Sequence, residues 1–289
     1  MNGRTDLAIE LTQLEKNTGL NGVRKTYRRT EKTKVTEIDI GGGEAQKSIG
    51  KPKGKYITVE MTEFSADSEI LDDRLSSLTG EIRSLIPDGD GTVLVAGLGN
   101  EAITPDALGP ECIKSVFSTR HIEPKLAAEI GFDSLHRVCA LAPGVLGQTG
   151  IETGEIIKSV CDSIKPKAVI LVDALAAADL RRLGKTVQIT DTGITPGSGV
   201  GNSRAEISPE TLGVPTVAVG VPTVVDALTL SKSITDSDTD ETADSEAACM
   251  MVTPREIDVV IHRAARLIAL AINCALQPEI EPEILLSVV

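Results

Sequence analysis

The sequence predicts an α/β protein whose doubly wound, mostly parallel sheet carries helices on both faces. Short apolar runs recur from residue 92 onward and alternate with segments of helical periodicity, the order that βαβ crossovers produce. The chain of 289 residues holds no Trp, two Tyr and three Phe, so Val, Ile, Leu and Ala must fill its core. Buried parallel strands favour that composition, and the length is sufficient for a sizeable core.

The polar amino-terminal part of the chain predicts two strands and one helix before the regular pattern begins. KVTEIDI alternates polar and apolar residues and ends at three glycines, which predicts a strand and a turn, and KYITVEM predicts a second strand. SEILDDRLSSLTGEIRSLI has apolar residues at helical spacing. Ser68 or Asp67 is the expected N-cap of that helix, because either side chain can accept a backbone hydrogen bond.

Five further apolar runs predict the strands of the main sheet. Helical segments follow the first two runs, and the Ala-rich segment LAAADLRRLG follows the third. Strands that alternate with helices imply right-handed crossovers and a parallel sheet covered on both faces. The runs are TVLVAG, RVCALAPG, AVILVDA, KTVQITD and VPTVAVGVP, and the helical segments are PECIKSVFSTRH and TGIETGEIIKSVCDSIKP.

The carboxyl-terminal part predicts an acidic loop and one long helix. Residues 231–248 are rich in acids and almost without core residues, so we expect a mobile, solvated loop. Residues 253–277 form a long amphipathic pattern. We expect Thr253 to cap this helix, with Pro254 at its first position and Glu256 completing a capping box.

Composition and charge limit the partners and the location of the protein. The formal net charge is −13, which argues against nucleic acid as a direct partner, because phosphate binding requires a basic surface. MNGRTDLAIE lacks the apolar core of a signal peptide, and no apolar stretch reaches the roughly 20 uninterrupted residues of a membrane span. We therefore expect a cytoplasmic protein with no membrane partner. Its widely spaced cysteines are expected to be reduced: Cys112, Cys139, Cys161, Cys249 and Cys274.

Three carboxylates stand where predicted strands end. Asp106 lies in the loop after TVLVAG, while Asp173 and Asp191 end their own apolar runs. In an open parallel sheet, ligands bind beyond the carboxyl ends of the strands. Two interpretations stay open: each Asp is a cap or turn former, or two of them share one rim. Like charges a few ångströms apart do not both ionise cheaply, so such a pair would hold an acid and a base side by side.

Other kinds of site have weaker support in the sequence. GLGNEA fits the dinucleotide pattern G-x-G-x-x-A, but Pro105 and Pro110 interrupt the helix that the motif should open, and the expected later acid is absent. No G-x-S-x-G elbow supports a serine triad, and no H-x-x-x-H spacing supports a metal site. We therefore predict neither a cofactor nor a bound metal, and a surface or capping role for His121, His136 and His262.

Several long motifs resemble those of one known family. They are RTDLAIE, GLGNEAITPDALGP, LAPGVLGQTGIETGEII, VDALAA, DTGITPGSGVGN, TLGVPTVAVGVPTVVDA and MVTPREID. Together they resemble the germination proteases of endospore-forming bacteria. The resemblance implies a fold like that of hydrogenase maturation proteases, and a homotetrameric endopeptidase of the spore core. Its implied substrates are the small acid-soluble proteins that coat spore DNA.

The resemblance also implies which residues act. The TPDALGP and VDALAA motifs carry the family's proposed catalytic aspartates, here Asp106 and Asp173. The family is made as a zymogen that cuts itself within R-T-D-L-A, which implies cleavage between Asp6 and Leu7. Residues 1–6 would then be a propeptide, and residues 7–289 a single protease domain that includes an amino-terminal extension over 7–65. Since the related hydrogenase maturation proteases use comparable acids to hold a metal, a metal-assisted mechanism is the alternative.

The glycine-rich segment GITPGSGVGN is too irregular for a helix or strand. Its backbone N–H groups could orient a peptide carbonyl or a developing oxyanion, and a purely structural glycine loop is an equal alternative. The residues considered as a substrate loop or as support for the site are Asp191, Gly197, Ser198, Gly199, Gly201 and Asn202.

Overall fold

The computed structural model describes residues 5–14, 22–129, 131–132, 135–227, 229–231 and 250–288. Within this part of the chain, nine strands form one sheet in the order β1-β2-β3-β7-β8-β6-β4-β5, and β9 pairs with β8. The strands are β1 (Val23–Arg29), β2 (Thr33–Ile40), β3 (Gly54–Met61), β4 (Val93–Gly97), β5 (Val138–Leu141), β6 (Ala168–Ala177), β7 (Thr186–Thr190), β8 (Thr216–Asp226) and β9 (Met251–Val252).

Helices and short 3₁₀ turns connect these strands. The helices are α1 (Ala8–Leu14), α2 (Glu44–Ile49), α3 (Asp73–Leu85), α4 (Leu108–Ile113), α5 (Pro124–Glu129), α6 (Leu146–Thr149), α7 (Thr153–Ile164), α8 (Pro209–Leu212), α9 (Ile257–Leu276) and α10 (Pro282–Ser287). The 3₁₀ turns span Thr104–Asp106, Leu180–Arg182 and Ser198–Val200.

The predicted α/β fold class is confirmed. Strands β5, β4, β6 and β8 run parallel to one another in the middle of the sheet. Apolar residues of α3, α4 and α9 cover one face, and those of α7 and α8 cover the other. The core is built from Val, Ile, Leu and Ala, as the scarcity of aromatic residues requires.

Strand β7 departs from the expected parallel order, because it runs antiparallel to both of its neighbours, β8 and β3. Only residues 178–185 join β6 to β7, and they include a 3₁₀ turn over Leu180–Arg182; the Ala-rich segment LAAADLRRLG begins within β6. A parallel return needs a crossover of about a dozen residues or more, so this short connection can only reverse the chain direction. The carboxyl end of β7 therefore lies at the opposite edge from the carboxyl ends of β6 and β8.

The amino-terminal extension continues the same sheet. Strands β1, β2 and β3 form an antiparallel meander, and β3 pairs with β7. Residues of α1 and α2 share a separate apolar cluster with β2, β3 and the last part of β6. Within that cluster Leu7 and Ala8 are fully buried. The segment that holds Leu7 and Ala8 is therefore packed onto the sheet where β6 ends.

Two helix starts differ from the sequence expectation. Helix α3 begins at Asp73, and its N-cap is Asp72, which accepts a hydrogen bond from the Arg74 N–H at 2.9 Å; neither Ser68 nor Asp67 caps it. Asp67 instead contacts Lys32 and Arg74 in a group of ion pairs. The chain segment before the helix is thus held by charge pairing rather than by capping.

Helix α9 begins at Ile257, so the predicted cap at Thr253 is wrong. Its N-cap residue is Glu256, which makes no side-chain capping bond. The Thr253 hydroxyl donates to the backbone oxygen of Thr223 at 2.9 Å, which ties this segment to β8. By length and composition α9 could cross a membrane, and it is the single such helix in the described ranges; 78% of its apolar window is buried inside the protein.

Helix α4 is shorter than predicted, since it ends at Ile113 rather than near His121. A buried side chain on α9 explains the early end: Asn273 accepts from the Phe117 N–H and donates to the Ser115 oxygen, both at 2.9 Å. These bonds satisfy backbone groups that a longer helix would have paired internally.

Four of the cysteines are described, and all four are free, as expected; Cys249 lies outside the described residues. Most of the expected acidic loop, residues 232–248, also lies outside them.

Candidate functional site

Asp106 is held at a sharp corner after β4. Gly99 has φ +110, and a Cβ there would lie 2.0 Å from the Asp106 backbone oxygen, so this turn requires glycine. The Asn100 N–H donates to the half-buried Asp106 carboxylate at 2.8 Å. Behind the corner, the buried hydroxyl of Thr223 donates to the Pro105 oxygen at 2.7 Å. The Thr-Pro-Asp sequence thus forms a 3₁₀ turn with a fixed carboxylate at its end.

Asp173 interrupts the apolar face of β6. Side chains alternate along a strand, so Asp173 shares one face with Leu171 and Leu175. It is paired across the sheet with Gly220 of β8, it is only 5% exposed, and it accepts a hydrogen bond from the Ala174 N–H at 2.9 Å. A carboxyl in this position is surrounded by protein on most sides.

Asp106 and Asp173 line one open cleft of about 470 Å³. The sequence hypothesis that these two carboxylates come together at one rim of the sheet therefore agrees with the geometry. Asp6 lines the same cleft. Also on its wall are seven residues of the glycine-rich segment: Ile194, Thr195, Pro196, Gly197, Gly199, Val200 and Asn202.

The pKa of each of the two carboxyls is raised above that of a free aspartate. Burial is the largest cause that raises the pKa of Asp173 well above its ordinary value, and the negative charges of Asp106 and Asp6 raise it further. The Ala174 N–H opposes this shift. Burial also raises the pKa of Asp106, against the hydrogen bond from Asn100. We conclude that Asp173 retains a proton more readily than Asp106, which leaves an acid beside a carboxylate.

The chain's own amino-terminal segment occupies one side of the cleft. The Asp6 N–H donates to the Ala176 oxygen at 3.0 Å, and the Ala176 N–H donates back to the Asp6 carboxylate at 2.9 Å. The Ser198 hydroxyl donates to the other carboxylate oxygen at 2.6 Å. The Asp6 carbonyl accepts from Gln188 Nε2 at 3.0 Å. Every polar group of Asp6 is therefore paired with the sheet or with the glycine-rich segment.

Gln188 also contacts the backbone beyond Leu7, because its Oε1 accepts from the Ala8 N–H at 2.7 Å. One side-chain amide thus bonds to the chain on both sides of the fully buried Leu7. The sequence arguments missed Gln188. The signal that could have revealed it is a single large polar residue within a strand whose positions are all buried.

The glycine-rich segment forms a tight 3₁₀ turn against Asp6. Gly197 and Gly201 adopt φ +73 and φ +74, and the Asn202 N–H donates to the Gly197 oxygen at 2.9 Å. Ser198 and Gly199 are the residues of this turn that face Asp6. The two glycines with positive φ shape the turn, and Ser198 and Gly199 make the contacts.

Asp191 is not brought together with the other two predicted aspartates. Its carboxylate accepts from the Lys55 N–H at 2.8 Å, at the start of β3. The expectation that Asp191 ends a parallel strand at the common rim is wrong, because β7 runs antiparallel and delivers Asp191 to the other edge. Its contacts are those of a residue that fixes the β3–β7 pairing.

The described residues do not offer a metal-ligand set. No group of three or more His, Cys, Asp and Glu side chains in these ranges is arranged to hold a metal ion. The metal that the hydrogenase maturation proteases suggest therefore does not fit the residues at this cleft.

A proton-holding carboxyl beside a second carboxylate, in an open cleft of an α/β sheet, defines a candidate hydrolase site. The family model described as Germination protease matches residues 4–239. Germination proteases of Clostridium perfringens (strain ATCC 13124) and Clostridium acetobutylicum are 41% and 39% identical to the chain, and each match covers 96% of both proteins. The Caldanaerobacter subterraneus germination protease is 40% identical, over 95% of this chain and 94% of the relative.

The chain therefore belongs to the germination protease family, and it is a peptidase. Among solved structures, the [NiFe] hydrogenase maturation protease HycI from Thermococcus kodakarensis KOD1 matches with a TM-score of 0.36 and 18% identity. That match covers 66% of this chain and 97% of HycI.

The Asp173→Asn variant should be more stable than the wild type, and this difference in the free energy of unfolding should grow as the pH rises. A carboxyl with a raised folded pKa costs no stability below its ordinary pKa of 3.8. The cost grows as the pH rises from that value to the folded pKa, and it stays at its full size above the folded pKa. The neutral amide removes this cost, which is about 1.4 kcal/mol for each unit of pKa shift. Urea denaturation from pH 4 to pH 8 should show an advantage of the variant that grows with pH. An advantage that does not depend on pH would contradict the buried proton.

Proposed function

We propose that this chain is an endopeptidase that starts the degradation of small acid-soluble, DNA-binding spore proteins during germination. It would act in the cytoplasm of the spore core and use Asp106 and Asp173 as a metal-free pair. Family membership supports a spore peptidase. The observation that carries the aspartate mechanism is the common cleft in which Asp173 is buried beside the charge of Asp106.

Asp106 is the base in this mechanism. It is the more exposed of the two carboxyls, and the Asn100 N–H fixes its direction and favours its ionised form. From that position the carboxylate takes a proton from a water molecule, whose oxygen then bonds to the carbonyl carbon of the peptide. A fixed carboxylate lowers the entropic cost of this attack.

Asp173 is the acid. Its proton is transferred to the nitrogen of the leaving amine, the carbon–nitrogen bond breaks, and the peptide carbonyl becomes a carboxyl group. The pair then holds its proton on Asp106. Asp106 releases this proton to solvent and Asp173 takes one up from solvent, which restores the starting state. The burial that raises the pKa of Asp173 is what keeps a carboxylic acid available at a pH where a free aspartate is ionised.

The position of Asp6 supports self-processing between Asp6 and Leu7, with residues 1–6 as a propeptide. The Asp6 side chain and backbone lie in the cleft that also holds the two aspartates. While the segment stays there, a second polypeptide cannot use the same donors. One short segment would thus serve as the first substrate and as the inhibitor of the unprocessed chain.

We also propose a homotetramer in solution, on the family resemblance. Sedimentation equilibrium of the full chain checks this directly, with a mass near four times the 30.4 kDa of one chain as the expected result.

The substitutions Asp106→Asn and Asp173→Asn should each abolish most peptidase activity. Loss of a general acid or base lowers kcat by about 10²–10⁴-fold, while the isosteric amides preserve the fold. Turnover of a small acid-soluble spore protein, followed by mass spectrometry, measures this, with circular dichroism as the test of folding. Asp90→Asn, on an exposed loop, is the matched control and should retain normal turnover. Near-normal turnover by either site variant would refute its assignment.

A chelator should leave this activity unchanged, because the proposed acid and base are both carboxyls of the chain. The experiment compares turnover before and after treatment with EDTA, and again after addition of Zn²⁺ or Mg²⁺. Loss of activity on chelation, followed by recovery with a divalent ion, would favour the metal-assisted alternative.

Incubation of the full chain at mildly acidic pH should yield a product that starts at Leu7. Acidification keeps the proton on Asp173 that the departing Leu7 amine requires. Intact-mass spectrometry over time detects the loss of six residues, and Asp173→Asn under the same conditions should stay at full length. An unchanged amino terminus in active enzyme would contradict self-processing.

A further inference from the structure

We propose that Ala176, Ser198 and Gly199 form the subsite that binds the acidic side chain preceding the cleaved bond. The inference rests on the proposed function, and it adds the residues that select the substrate. Its basis is the Asp6 carboxylate, which is seated between the end of β6 and the glycine-rich turn. The chemical class that this subsite takes is a short side chain with a carboxylate at its end.

The donors of this subsite match the two oxygens of a carboxylate. Oδ2 accepts from the backbone N–H of Ala176 at 2.9 Å, and Oδ1 accepts from the hydroxyl of Ser198 at 2.6 Å. Hydrogen bonds to an ionised acceptor are shorter and stronger than neutral ones. An apolar side chain in the same place would leave both donors without this partner, which is the basis of the selectivity.

The space at this subsite depends on one glycine. A Cβ at position 199 would lie 2.1 Å from Asp6 Oδ2 and 2.6 Å from the Ala176 Cβ. Since neither distance is possible for real atoms, only glycine lets an acidic side chain lie against the turn. Gly197 and Gly201 hold that turn with positive φ on either side, so the position of residue 199 is fixed by the loop.

Lys51 lies beside the subsite, where burial lowers the pKa of its ammonium group and the negative charge of Asp6 opposes that shift. It lines an adjoining cavity of about 210 Å³ together with Asp6, Gln188 and Ser198. A cation at the border of a partly closed cleft favours an anion over a neutral side chain of the same size.

The backbone around Asp6 is also held as a bound peptide would be. The Asp6 N–H donates to the Ala176 oxygen at the extended end of β6, which resembles the addition of a strand to a sheet. Gln188 bonds to the Asp6 carbonyl and to the Ala8 N–H, one on each side of the Asp6–Leu7 bond. Register places Gln188, Gly220 and Asp173 in one row across β7, β8 and β6.

A double-mutant cycle on the full chain tests the subsite. The rates at which the Leu7 product forms are compared for the wild type, Asp6→Ala, Ser198→Ala and the double variant. Ser198→Ala should slow processing by about tenfold or more when residue 6 is Asp, because it removes a hydrogen bond to a charged group. With Ala at position 6 the same substitution should change the rate by less than about twofold. Equal effects of Ser198→Ala in both backgrounds would overturn the subsite.

Two further variants test whether a slower rate comes from the missing Ser198 hydroxyl or from damage to the loop. Ser203→Ala, at an exposed position of the same segment, should process at the normal rate. Ser198→Thr keeps the hydroxyl and should restore much of the rate lost in Ser198→Ala. If neither expectation holds, the loss reflects damage to the loop, and the assignment of Ser198 fails.

The self-processed enzyme gives an independent measurement with peptides. Peptides that differ only in Asp or Ala before the cleaved bond should show a preference for Asp in kcat/KM, and Ser198→Ala should reduce that preference about tenfold. Gly199→Ala should abolish cleavage of the Asp peptide and spare more of the activity on the Ala peptide. A preference that is unchanged in both variants would refute the proposal.

Hydrogen exchange at the Ala176 amide separates failure of the subsite from failure of the proposed peptidase. In the full chain, Asp6→Ala should speed exchange at this amide, whether or not any cleavage takes place. If the wild type never cleaves but the amide responds, the proposed function fails and the carboxylate contact stands. If the amide does not respond, the subsite fails even in an active enzyme.

Discussion

The burial of one carboxyl group beside another is the constraint on which the rest of the structure depends. Asp173 lies among buried apolar residues of β6, where ionisation would place a charge in a medium of low polarity. Asp106 stands at a glycine corner that the next helix and Thr223 hold in place. The chain thereby holds two carboxyls in one cleft, at some cost to its own stability.

The sheet supplies this arrangement by combining two kinds of strand. The parallel strands bring the loop after β4 and the second half of β6 to one edge, where Asp106 and Asp173 line the same cleft. The antiparallel strand β7 contributes Gln188 instead of a third acid, and the meander before it buries Leu7 over the end of β6. The segment around Asp6 is thus held by β6, which carries Asp173, and by Gln188 of β7, so the proposed masking and the proposed recognition would use the same contacts.

Local sequence patterns predicted the elements that depend on neighbouring residues. They did not predict the features that depend on contacts with residues far away in the sequence. Apolar runs predicted the parallel core, whereas the choice of Asp106 and Asp173 among three candidate acids came from the family resemblance. Asp173 lies within β6, four residues before the strand ends. Periodicity contains no information on strand direction, so the antiparallel course of β7 and the place of Asp191 were not predictable from it. The early end of α4 depends on Asn273, far along the chain. The start of α9 depends on a bond from Thr253 to β8, where capping rules alone favoured an earlier residue.

The most direct test of the account is a titration of the Asp173 side-chain carboxyl by ¹³C NMR, in the wild type and in Asp106→Asn. We expect the Asp173 carboxyl to remain protonated far above the ordinary range of aspartate in the wild type, and its pKa to fall when the charge of Asp106 is removed. Titration of Asp173 at an ordinary aspartate pKa, unchanged by the loss of Asp106, would contradict the shared proton and the mechanism built on it.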